Sequence, residues 1–286
     1  MKFGLRLGVP LLAVTLAFAE AGYGSETNPS TQATQRPALE HTSGRVTAMA
    51  IAPVLGAAGS FAVLGASTVT NTGPTVVNGD LGVSPGTAIT GFPPGVVNGT
   101  THSADAAALA AQNAVTAAYV GLAGQACNTN LTGQDLGGLT LTPGVYCFSS
   151  SAQLTGTVTL NALGNAGAVW VFQIGTTLTT ASGSRVAFIN GGQPCGTFWQ
   201  IGSSATLGTN TTFSGNILAL ASITLNTGAA NSGALFARTG AVTLDSNPVS
   251  TVGSCGIPPV PALPEVAVWA LLAILLAMGV FVLARR

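Results

Sequence analysis

The sequence predicts an all-β fold with one long helix, a solenoid of triangular coils with the α-helix packed along one flank. Three observations carry that expectation. Thr-Leu pairs recur at a near-constant interval, short β-branched runs alternate with Gly, Asn, Ser and Thr, and one Ala-rich stretch has helical period.

Leu160, Leu178, Leu207, Leu225 and Leu244 each close a Thr-Leu pair, at successive separations of 18, 29, 18 and 19 residues. The long interval holds the loop-like "NGGQPCG". A fixed period of this kind signals stacked repeats. About 18 extended residues at about 3.3 Å each give a loop of roughly 60 Å perimeter, which suits one triangular coil with sides near 20 Å. Stacking pairs every strand with the coil above and below, so backbone groups are satisfied around an apolar interior that needs almost no charge.

Along "TVTLNA", the period of two turns Val158 and Leu160 inward and Thr157, Thr159 and Asn161 outward. Repeating this in each coil predicts an outward column of Thr159, Thr177, Thr206, Thr224 and Thr243. Two places beyond each Leu comes another, Ala162, Thr180, Thr209, Thr227 and Ser246. Hydroxyls in such columns stack at the strand spacing of about 4.8 Å.

The stretch from Ser103 to Ala126 breaks the strand pattern. Ser103 is a plausible N-cap, and Ala108, Gln112, Val115, Tyr119 and Leu122 fall on one helical face. It predicts a single helix of about twenty residues, some 30 Å long. "AVWVFQI" is apolar on both alternating faces, as a strand buried on both sides would be. Trp170, Phe172, Phe198 and Trp199 are then core or helix-contact residues.

The composition excludes several functions. Only 6% of residues are charged, the formal net charge is zero and Lys2 is the sole Lys, so no nucleic acid partner is expected. Between Pro53 and Gly256 the acids are Asp80, Asp105, Asp135 and Asp245, and the bases are Arg185, Arg238 and His102. Paired carboxylates for glycosidic chemistry, a calcium cluster and a nucleophile motif are all missing from that set. No catalytic residue, cofactor or metal is expected, and Asp80 reads as a turn or capping residue.

Both ends read as targeting segments. Residues 1–21 have a basic start, an apolar run from Leu7 to Phe18 and the small-x-small Ala19-Glu20-Ala21, as in a signal peptide. Residues 22–52 are a polar, low-complexity spacer, 53–256 the β-solenoid body, and 257–264 a Pro-rich linker. In 265–286, the uncharged stretch 266–284 is long enough to span a membrane, with Arg285 and Arg286 favouring a cytoplasmic end. "VPALPEVAVW", the apolar stretch behind it and the closing Arg pair resemble C-terminal sorting tails of the IPTL-CTERM and PEP-CTERM type. That resemblance implies an envelope sorting protease as a partner; a permanent anchor is the other reading. The chain is expected to be exported, bacterial, and located at the cell envelope or outside the cell. Four Cys in an exported chain suit two disulfides. Of the three possible pairings, Cys127–Cys147 and Cys195–Cys255 each brace a neighbouring loop or the end of the repeats.

The segments "LGAAGSFAVLGASTVTNTGPTVVNGDLGVSPGTAITGF", the Ala-rich helix, "GGLTLTPGVYCF", "AVWVFQIGTTLTTASG", "FWQIGSSATLGTNTTFSGNILALASITLNTGA" and "GAVTLDSNPV" together resemble the DUF3494-type ice-binding protein family. The resemblance covers essentially the whole body. It implies an irregular, discontinuous right-handed β-helix of triangular section with a helix along one side, and binding to ice through one flat face marked by Thr-Ala/Gly-x-Thr/Asn. Thr180-Ala181-Ser182-Gly183, Thr209-Asn210-Thr211-Thr212 and Thr227-Gly228-Ala229-Ala230 stand at that place, each keeping the first Thr. The face candidates are accordingly Thr180, Ser182, Thr209, Thr212, Thr227 and Ser246. Ice presents a repeating lattice without charge, so a flat, rigid, weakly polar array suits it. The rival expectation is a surface adhesin or structural envelope protein that binds protein or polysaccharide without ice activity.

Overall fold

A computed structural model describes residues 49–253. The expected signal peptide, sorting tail and Pro-rich linker, and all but residues 49–52 of the spacer, lie outside the described residues. Three sheets, here called A, B and C, have nine, seven and eight strands and enclose one apolar interior. All neighbouring strands are parallel, as stacked coils require.

The coils are not stacked in chain order. Strands Phe61–Gly65, Thr68–Thr72 and Val76–Asn78 make one coil across sheets A, B and C. Asp80–Val83, Ala88–Thr90 and Val96–Val97 make the next, and Thr101–Ser103 ends this first stack at one edge of sheet A. The helix Ala106–Ala123 then carries the chain to Thr129–Asn130 at the opposite edge. From there the coils climb back, and the last one, Leu235–Ala237, Val242–Asp245 and Pro248–Ser250, docks on the first. The solenoid is therefore discontinuous, with its seam inside the stack, nearer the end formed by the first coils.

Alternation within each strand decides what faces inward. On sheet A, Tyr146, Phe172 and Trp199 point into the interior, while Val145, Val171 and Phe198 point out to the helix. Strand Trp170–Ile174 is thus buried on both faces, as its apolar run requires. Phe172 and Trp199 are in register and stack with centroids 3.9 Å apart and planes 8° apart. The buried indoles are satisfied: Trp170 Nε1 donates to Leu141 O at 3.1 Å and Trp199 Nε1 to Ser214 O at 3.0 Å.

The corner between sheets C and A is sharp and depends on glycine. Gly215 and Gly233 have φ of +110° and +146°, and a Cβ on Gly233 would lie 2.1 Å from Gly215 O. A side chain there would push adjacent coils apart.

The helix begins two residues beyond the expected Ser103. Asp105 is the N-cap, accepting from Ala108 N at 2.8 Å, while Ser103 closes a strand and donates to Thr87 O. Ser103 is held in the ladder opposite Val83, and the Asp105 carboxylate also meets His102 Nδ1, 2.7 Å away. Ala108, Ala111, Val115, Ala118 and Leu122 bury the helix on sheet A. Polar clips fix its position: Gln112 Nε2 donates to Ala237 O at 3.1 Å, and Gln173 Nε2 to Leu122 O at 2.7 Å. Just past the helix, the expected disulfide joins Cys127 to Cys147, 20 residues apart in sequence, with Cα atoms 5.9 Å apart. Closing a loop of that length contributes about 3 kcal/mol in the chain-entropy account. The proposed partner of Cys195, Cys255, lies outside the described residues.

Candidate functional site

Sheet A is covered by the helix, so only sheets B and C present their outer faces. Sheet C is uneven: its outward residues include Arg185, Pro248 and the exposed Val76, Val96 and Ile189. Sheet B differs. Its strands are Ala152–Leu154, Leu178–Thr180, Ala205–Leu207, Ile223–Leu225, Val242–Asp245, Thr68–Thr72 and Ala88–Thr90, in that spatial order. Asp245 is the single charged residue among them.

Cross-strand register on sheet B aligns Gln153, Thr179, Thr206, Thr224, Thr243, Thr70 and Thr90 in one outward column. Six consecutive threonines at about 4.8 Å spacing make a ladder of about 24 Å. Below them the sheet is filled by Leu178, Ala205, Ile223, Val242 and Val69, all essentially inaccessible. That packing holds the strands rigid, and β-branching restricts each Thr rotamer.

The hydroxyls of Thr179, Thr206, Thr224 and Thr90 make no hydrogen bond within the described residues, and Thr70 and Thr243 meet only each other. The neighbouring column, two residues earlier, is used differently. Ser204 Oγ accepts from Ser222 N and Ser222 Oγ from Ala241 N, both at 3.2 Å, so these serines tie coils together. The Thr column is the longest run of hydroxyls on this sheet that the fold leaves unused, apart from the Thr70–Thr243 contact.

Some expected site residues move. Thr206, Thr224 and Thr243 do share a column, but Thr159 lies on sheet C, opposite Thr140 and Ala187. Thr177 is offset by two, because Leu178 pairs with Ala205 and Thr179 with Thr206. The cause is Thr180: it occupies the inward position that Leu207 and Leu225 fill in later coils. It is 3% exposed and bonds Thr211 Oγ1 and Gly208 N, both at 2.9 Å. Thr180 is thus a buried polar clasp, not a surface contact.

Ser182, Thr209, Thr227 and Ser246 lie in the turns between sheets B and C, and Thr212 opens a strand of sheet C. These five lie along the edge of sheet B that adjoins sheet C. Thr227 Oγ1 is tied to Asp245 Oδ2, and Ser246 Oγ donates to Asp245 Oδ1 at 3.2 Å. The ladder members that sequence spacing misses are Thr70, Thr90 and Thr179. Thr70 and Thr90 lie in the first stack, outside the Thr-Leu repeat, where only the V-T-N and A-I-T alternation marks them.

The carboxylates have structural tasks. Asp80 Oδ1 accepts from Thr100 N at 2.8 Å, Asp105 caps the helix, and Asp135 Oδ1 accepts from Gly137 N and Thr155 N at 2.7 and 2.9 Å. The Asp105 carboxyl is held below its ordinary range, chiefly by the Ala108 N–H and then by His102. For Asp135, partial burial is the largest influence and raises it, but the donors of Gly137 and Thr155 together bring it lower. Among the described residues no three His, Cys, Asp or Glu side chains gather as a metal site.

A discontinuous parallel solenoid with one helix-covered face and one nearly neutral face carrying a threonine column defines the class of protein. Comparison with known proteins gives the family. Residues 63–250 match the model of the ice-binding-like family, and the chain belongs to it. An ice-binding protein of Nostoc sp. (strain HG1) is 60% identical over 198 residues, covering 69% of this chain and 73% of that protein. One from Flavobacterium frigoris (strain PS1) is 36% identical over 211 residues, covering 68% and 75%. Among solved structures, an ice-binding protein from an Antarctic biological consortium superposes with a TM-score of 0.70 at 46% identity, over 72% of this chain and 93% of that one. The DUF3494 domain of Shewanella frigidimarina ice-binding protein 1 gives 0.67 at 33% identity, over 72% and 99%.

Proposed function

We propose that this protein binds ice through sheet B, with Thr179, Thr206, Thr224, Thr243, Thr70 and Thr90 as the contact column. The observation that carries this reading is the register: six threonines, of which only Thr70 and Thr243 bond each other, stacked on a rigid and nearly uncharged sheet. One hydroxyl contributes only about 0.5–1.5 kcal/mol net, so adsorption needs many matched positions acting together. A pre-ordered plane supplies them without an ordering cost at binding. Ser182, Thr209, Thr212, Thr227 and Ser246 border the sheet and stand outside this contact column.

The chain is further proposed to act outside the cell, exported by residues 1–21 and held at the envelope by 266–284 until a sorting protease releases it. The position of the ends within the body supports this. Met49 to Leu55 runs along the helix, where Ile51 and Gln125 exchange two hydrogen bonds, and Thr251 follows sheet C with its N–H on Asn78 O. Neither of these described segments crosses sheet B, so neither covers the ladder.

The test is thermal hysteresis and recrystallisation inhibition by the body, residues 53–256, with Thr224→Tyr beside it. Activity in the parent and its loss in the folded variant is the expected result. An inactive parent that binds polysaccharide or cell-surface protein instead would establish the adhesin reading.

A further inference from the structure

Asp245 stands where the neutrality of sheet B ends. It is in direct register with Thr72, two residues beyond ladder Thr243 on the same strand, so it belongs to the third outward column of the sheet. Its two carboxylate oxygens are both engaged: Oδ2 by the Thr227 hydroxyl from the preceding coil and Oδ1 by the Ser246 hydroxyl. The neighbours in this column, Thr155, Ala181, Gly208, Asn226 and Thr72, carry no charge, and the other carboxylate near it, Asp135, accepts from the Thr155 N–H at the outermost strand of the sheet.

We infer that Asp245 is a specificity-determining residue that sets the margin of the ice-contacting face, an inference that rests on the ice-binding reading of sheet B. An ionised carboxylate holds its own hydration shell, and an uncharged lattice of water offers it no counter-ion. Ordered water can extend over the Thr column and the columns beside it up to Asp245, and there it is interrupted. The same carboxylate removes Thr227 from the face, because the Thr227 hydroxyl spends its proton on Oδ2 and has none to donate outward. This accounts for a threonine that sequence pattern places on the face yet geometry ties to its edge.

Asp245→Asn tests the inference, since the amide oxygen can still accept from Thr227 while the charge is removed. Thermal hysteresis is measured against protein concentration for the full chain, for Asp245→Asn, for Thr227→Val and for Thr224→Tyr, with melting temperature as the check on folding. Asp245→Asn is expected to reach a given hysteresis at a several-fold lower concentration, and Thr227→Val to leave the parent's activity unchanged. A parent that is active with no gain in folded Asp245→Asn overturns this inference and leaves the ice-binding reading standing. Loss of activity in Thr227→Val as complete as in Thr224→Tyr also overturns it, because Thr227 would then be a contact. If parent and Asp245→Asn are both inactive, both readings fall together, whereas activity confined to Asp245→Asn supports the block at Asp245.

Discussion

Thr70 Oγ1 lies 3.4 Å from Thr243 Oγ1, although 173 residues separate them in the chain. The pair bridges the seam where the first coil meets the last. Backbone pairing continues across it, Val69 to Val242 through Thr72 to Asp245, so sheet B is one surface and not two abutting ones.

A residue from the first stack should therefore matter as much as one from the repeats. Thr70→Tyr is expected to abolish hysteresis as Thr224→Tyr does, since a ring projecting from the seam holds the ice surface off the ladder on both sides. Thr159→Tyr, on sheet C, should leave activity intact. Hysteresis of the three variants at matched concentration checks this; equal loss in Thr159→Tyr would move the binding face to sheet C.

Much of this fold is legible in the sequence. The coil length follows from the Thr-Leu spacing, the helix from its Ala-rich period, and the two-sided burial of Trp170–Ile174 from its unbroken apolar run. The ladder is less legible, for two physical reasons. A period of two fixes which residues face outward but leaves register free, and "TTLTT" offers two registers that differ by two residues. The register found is the one in which Thr180 faces inward and bonds Thr211 and Gly208. Thr70 and Thr90 join the column through contacts made after the chain has crossed the helix, and no local period encodes those.

Thr180 gives a test of that register. Thr180→Val keeps the shape of the side chain but leaves Gly208 N without its acceptor, while Thr211 Oγ1 loses one of two bonds and still donates to Ala181 O at 3.1 Å. The expected cost is about 1–3 kcal/mol of folding stability, the range for an unsatisfied buried polar group. Hysteresis per folded molecule should not change, because Thr180 does not reach the surface. Urea unfolding midpoints alongside hysteresis separate the two; a stable variant without ice activity would return Thr180 to the face.

Asp105 predicts how stability follows pH. Its folded carboxyl lies below its ordinary range because it accepts from Ala108 N–H and from His102. The unfolded chain has a carboxyl near the reference value of about 3.9. A group depressed on folding contributes stability that is fully present above that unfolded value and is lost as pH falls through the folded one. Asp135 adds in the same direction. The melting temperature should thus hold steady through the neutral range and decline below about pH 4. Asn is also a good N-cap but does not titrate, so Asp105→Asn should melt below the parent at neutral pH and converge with it in acid. Melting curves by circular dichroism across this range decide the matter: a gap that stays constant down to the acid limit would mean that the Asp105 charge plays no part in holding the helix on sheet A.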